Sequence, residues 1–187
     1  MERYIYLVFT DTGTYFTKLI KLFTKRPYNH ASLSMDAELY NVYSFGRKNI
    51  RNPFNGGFVR EDMGNELFQT ASATIYRYCV TEEQYHRIKQ LMSKFEQQSD
   101  QYRYNLLGLF AIMLKKQWNR KNAFFCSQFV ALVLEEVGIT KFKKSVSLVT
   151  PQDLSQLTPM DAIFEGKLSD YLNKETVIYQ YNRLFTV

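Results

Sequence analysis

Histidine and cysteine are scarce in this chain, two of each in 187 residues. Two cysteines make no disulfide framework of the kind that staples small secreted domains, and their number fits a reducing cytoplasm. No apolar run approaches the roughly twenty residues that cross a bilayer as a helix; the longest, Leu106 to Leu114, has nine. The chain also lacks a glycine-rich phosphate loop, an internal repeat, and any grouping of Cys, His and acidic residues at metal-ligand spacing. Those absences lead to the expectation of a protein that works without cofactor or metal. The first residues, Met1 to Phe9, do not show a basic region, an apolar run and a small-residue cleavage site in succession. They read as a first strand, and the expected location is cytoplasmic.

What is present suits one folded domain spanning residues 1–187. The composition is 45% hydrophobic and 16% aromatic, which excludes disorder and supplies a sizeable core. The formal net charge is +6. The basic residues are dispersed and no nucleic-acid motif accompanies them, so they read as solvated faces. Lys115, Lys116, Arg120 and Lys121 follow the nine-residue apolar run. The run reads as a buried helix, with peripheral contact to anionic lipid as the alternative.

Along the chain, Thr10 to Gly13 ends the first strand and caps an expected helix to about Thr24, with Lys18, Lys21 and Lys25 along an exposed face. His30 to Asp36 alternates as a strand, and a second strand runs from Leu39 to Phe45. The glycine- and asparagine-rich segment 49–57 reads as a loop rimming a cleft, followed by extended structure to Val80. Cys79 lies inside that alternating pattern, where a structural role is expected. Thr81 with Glu82, Glu83 and Gln84 starts an amphipathic helix to about Gln97, and His86 belongs to its solvated face. The segment after Pro159 is expected to pack on the core or close an interface.

The chemistry centres on Cys126. It stands where an irregular polar stretch becomes the apolar helical segment Phe129 to Val137, which Gly138 should stop. A helix start leaves amides unpaired and carries partial positive charge, which suits a thiolate. His30, at the start of a strand, is the expected partner: thiol catalysis commonly joins a Cys and a His distant in sequence and close in space.

The segments Asn29 to Asp36, Phe125 to Ala131 and Thr150 to Leu154, together with Tyr43 to Lys48 and Asn55 to Phe58, resemble the permuted papain-like cysteine hydrolases of the NlpC-type superfamily, in a largely uncharacterised bacterial branch. In the permuted members the histidine strand precedes the cysteine helix, as His30 precedes Cys126 here. The resemblance covers roughly residues 4–155. It implies an α+β, circularly permuted papain-like fold with an antiparallel sheet packed against helices. It further implies Cys126 as nucleophile, His30 as base and a polar third residue on the next strand. The family's usual offset falls on Val42, which cannot accept a hydrogen bond from the ring. A longer hairpin moves the position to Ser44, with Asn41 and Glu38 behind it. For the oxyanion the resemblance implies the Cys126 amide and a second donor, with Tyr6 and Gln128 as candidates. The expected activity is thiol-dependent hydrolysis of a peptide, amide or ester through a thioester on Cys126. The alternatives are a lipid-directed acyltransferase or phospholipase and a catalytically silent binding domain.

Overall fold

The computed structural model describes residues 2–12, 28–49, 52–105 and 122–173. Strand β1 (Arg3–Asp11) is the hub of a six-stranded antiparallel sheet. It pairs on one side with β2 (His30–Ser34) and on the other with β5 (Ser72–Val80). Beyond β2 lie β3 (Val42–Asn49) and β4 (Asn52–Glu61), and beyond β5 lies β8 (Asp161–Lys167), giving the order β4-β3-β2-β1-β5-β8. The fold is therefore α+β. A two-residue parallel ladder of β6 (Arg103–Tyr104) and β7 (Ala123–Phe124) stands apart from this sheet and leads into α3 (Cys126–Glu136).

Period-two alternation gives the sheet two buried faces. Ile5, Leu7, Phe9, Ala31, Leu33, Tyr43 and Phe45 share a core with Ile88, Met92 and Phe95 of α2 (Glu82–Gln97) and with Phe129, Val130 and Leu134 of α3. Val8, Val42, Ala73 and Ile75, one residue out of phase, form a second core with Phe68 of the short α1 (Glu66–Gln69) and with Leu168 and Tyr171. The segment after Pro159 thus adds an edge strand and covers one face; Tyr179, Tyr181 and Phe185 lie outside the described residues.

Local signals account for the helices near the site. Thr81 and Gln84 form a reciprocal capping box at the start of α2. Gly138, with φ 72°, turns the chain just past the end of α3 in the left-handed region that favours glycine. Thr150 caps the five-residue α4 (Pro151–Ser155) through a second box with Asp153, whose Oδ2 also accepts from Lys144 at 2.6 Å.

Two stretches differ from their sequence reading. Segment 49–57 joins β3 to β4 and lies mostly within β4, so the glycines belong to a strand; Gly57 faces Gly46 across the ladder and Gly56 faces Arg47. The extended stretch to Val80 is broken at Glu61 by a turn and by α1 before β5 begins. The expected helix to Thr24, with Lys18, Lys21 and Lys25, and the apolar run 106–114 with its basic flank lie outside the described residues. Among the described residues no helix is long and apolar enough to cross a membrane.

Candidate active site

Two elements begin at the same end of the sheet. His30 is the first residue of β2 and pairs with Thr10 of β1, whereas Ser34, the last, pairs with Tyr6. The far end of α3 lies toward Ser34. Arg87 donates to the Glu136 carbonyl and Gln84 to that of Val137, and α2 itself starts just after Val80, which pairs with Arg3. An eleven-residue helix covers about 16 Å, which carries the start of α3 back to His30. There Cys126 is close enough to His30 to raise the pKa of its imidazole. Ala31 and Leu33 face α3, so the ring meets the thiol at the end of the sheet, where a strand's first side chain can turn toward a helix terminus.

The carboxylate of Glu61, last residue of β4, holds the other side of the ring, with Oε1 2.6 Å from His30 Nε2. That contact leaves Nδ1 as the nitrogen available to Cys126. Two serines fix the carboxylate: Ser44 donates to Oε1 at 2.7 Å and Ser32 to Oε2 at 2.5 Å. His30, Ser32 and Ser44 line one face in successive alternating positions, and Glu61 reaches diagonally across them. The place expected for Ser44, against the imidazole, is taken by Glu61, and Ser44 supports the acid from behind. Asn41 instead binds Asp36 and Arg60. Glu38 lines a surface cavity of about 520 Å³ with Leu39, Tyr40, Arg60 and Met63, and Glu61 contributes to the same lining.

Burial by itself pushes the His30 pKa down, but the charge of Glu61 and the hydrogen bond and charge of Cys126 outweigh it. The net position is well above the ordinary 6.5. Burial likewise favours the neutral acid at Glu61, and the His30 charge with bonds from His30, Ser32 and Ser44 reverses this, holding the carboxyl below its ordinary 4.5. Both shifts favour the charged forms, an imidazolium facing a carboxylate.

Cys126 itself is 4% exposed. No side chain caps α3, whose cap residue is Phe125, so the first-turn amides have no side-chain acceptor. The second residue of the helix, Ser127, donates to the Val149 carbonyl at 2.7 Å, which ties the segment before Thr150 to the start of α3. That bond places the Thr150–Leu154 motif next to the start of α3.

Of the two oxyanion candidates, Tyr6 lies opposite Ser34 and Arg77, four residues along β1 from the level of His30, or about 13 Å at strand rise. Gln128 is buried in the first turn of α3, and its Oε1 has no partner among the described residues. His86 is two-thirds exposed on α2, 3.6 Å from Glu82, as a surface histidine would be. Cys79 is exposed on β5, which corrects the structural role expected of it.

Glu61 escaped the sequence reading because it follows His30 by 31 positions, beyond a hairpin whose register the sequence leaves open. The usable signal was the phase of the return strand: pairing Ser44 with Val59 leaves Glu61 on the face of the serines. None of the family models, curated proteins or solved structures compared with the chain matches it.

Proposed function

We propose that this chain is a thiol-dependent hydrolase of the permuted papain-like type, with Cys126 as nucleophile, His30 as its proton donor and acceptor, and Glu61 as the orienting acid. The observation that carries the reading is the position of His30, engaged both by Glu61, 2.6 Å from its Nε2, and by Cys126. The order of the elements, histidine strand before cysteine helix in an antiparallel α+β fold, also supports it.

The state of His30 sets the sequence of events. The raised pKa favours the imidazolium, so in this reading its first act is donation. Sγ attacks the acyl carbon as a thiolate, a C–S bond forms, and the negative charge moves to the carbonyl oxygen. There the uncapped amides of α3 are the nearest fixed donors. On collapse the C–N or C–O bond of the substrate breaks and His30 Nδ1 gives its proton to the departing atom. The now neutral imidazole takes a proton from water, hydroxide adds to the thioester, and Sγ leaves with the original protonation restored. Glu61 keeps Nε2 engaged throughout, so the ring presents one nitrogen to the thiol.

Alkylation followed by mass spectrometry tests this directly, because the exposed Cys79 is an internal reference. Near pH 6 Cys126 is expected to react faster than Cys79 despite its burial, and His30→Ala should remove the advantage. A Cys126 slower than Cys79 at every pH would reject the assignment.

A further inference from the structure

Four buried side-chain polar atoms lack a hydrogen-bond partner among the described residues, and three of them border the Cys126/His30 pair. Thr10 Oγ1 lies on the strand residue opposite His30, Asn29 Oδ1 precedes it in the chain, and Gln128 Oε1 follows two residues after Cys126. Leaving a buried polar group unmatched costs about 1–3 kcal/mol, and folded proteins match nearly all of them. Their concentration here points to a partner that arrives from outside.

The kind of partner follows from Asn29. Its Nδ2 donates to Asp11 Oδ1 at 2.6 Å. A carboxylate can only accept, so this contact decides which end of the amide is which. Oδ1 is left as a fixed acceptor with no donor among the described residues, on a residue only 9% exposed. The Asn29 amide N–H is itself bonded to the Thr10 carbonyl, which holds the backbone to β1. By alternation Asn29 and Asp11 fall in phase with Ala31 and Phe9, on the α3 side of the sheet, at the end where α3 begins. The unmet acceptor therefore lies one residue from His30, on the sheet face that α3 covers, and what it lacks among the described residues is a hydrogen-bond donor.

We propose that Asn29, oriented by Asp11, is a substrate-positioning residue whose Oδ1 accepts a hydrogen bond from an N–H of the acyl portion delivered to Cys126. The proposal rests on the Cys126/His30 reading and extends it to specificity. A peptide-like acyl group, which carries an N–H near its carbonyl carbon, satisfies Oδ1. An acyl group with an ester oxygen or hydrocarbon at that place leaves it unmatched and loses the orientation.

The test uses two inactivators that differ in one atom: an N-acetylglycyl bromomethyl ketone and its analogue with the N–H replaced by O. In each, Sγ displaces bromide from the methylene, forming one C–S bond as one C–Br bond breaks. The ratio of the two rates at Cys126, divided by the same ratio for a small free thiol, isolates the N–H contact and cancels general effects on reactivity. A native ratio about fivefold above the reference that falls to the reference in Asn29→Ala is the expected result. Asp11→Asn, which no longer fixes the amide, should lower the ratio as well and serves if Asn29→Ala does not fold. A native ratio equal to the reference, or one unchanged in both variants while Cys126 stays reactive, would overturn the role of Asn29 alone. A Cys126 that reacts with neither ketone faster than the free thiol would remove the hydrolase reading and this inference together.

Discussion

Between Glu61 Oε1 and His30 Nε2 the separation is 2.6 Å, in a place where both side chains are largely withdrawn from water. Two charges removed from solvent hold only while each has the other, so the pair is sensitive to pH from both sides. His30 has a folded pKa above its ordinary 6.5, so its contribution to stability is complete below that value and is lost as pH rises through the folded pKa. Glu61 has a folded pKa below its ordinary 4.5, so its contribution is complete above that value and is lost as pH falls through the folded pKa. Both hold together between about pH 4.5 and 6.5. Denaturant titrations of the native protein and Glu61→Gln across pH should show their largest difference in that window, on the order of 3 kcal/mol, narrowing on either side. A difference independent of pH would mean that the contact is an ordinary neutral hydrogen bond. Ser44→Ala, which removes one donor to the same carboxylate, should cost about 1.5 kcal/mol at pH 5.5 and less as pH falls through the folded pKa of Glu61.

At the scale of elements, the hairpin β3–β4 delivers both Ser44 and Glu61, and its register decides whether they meet. Gly56 shows how closely that register is set. A Cβ there would lie 2.6 Å from the Gly46 carbonyl oxygen and 2.7 Å from Tyr104 Cβ, inside contact distance on both sides. Gly56→Ala must therefore push β4 away from β3 or from the β6–β7 ladder. The expected loss is about 2–3 kcal/mol, read as a shift in denaturation midpoint, with weaker amide protection along β4 than along β1. Equal protection in both strands would show that the hairpin absorbs the methyl without moving. The same hairpin marks the limit of what the sequence made legible. Cys126 and His30 stood out because both residue types are rare and each opens a regular element. Thr81 and Gly138 stood out because capping is local chemistry. Glu61 did not, because its role depends on long-range pairing, and a glycine- and asparagine-rich stretch resembles a loop until another backbone must approach it closely. Asp11 and Asn29 were hidden for a related reason, since they come together only when β1 and β2 pair.

Over the whole molecule, the site is held by layers that do not themselves touch substrate. Phe45 sits between Ser44 and Gly46, and its ring lies 5.1–6.0 Å from those of Phe58, Phe95, Tyr102, Phe124 and Phe129. These come from β4, α2, the residue before β6, β7 and α3, so one side chain joins five parts of the chain, among them the helix that carries Cys126. Truncating a fully buried aromatic removes its transfer free energy and leaves a cavity, about 3–5 kcal/mol together. Phe45→Ala should lower the denaturation midpoint accordingly, whereas Phe45→Leu, which keeps most of the volume, should cost roughly half. The cluster and the Cys126 thiol share α3, through Phe129 and Cys126, so the loss should also appear at the site. Below the midpoint, Cys126 in Phe45→Ala should forfeit its alkylation advantage over Cys79 before the sheet core on the far side, around Ile75 and Val42, becomes open to hydrogen exchange. Simultaneous loss of both would instead make the two faces of the sheet one cooperative unit, in which the thiol and imidazole part only on global unfolding.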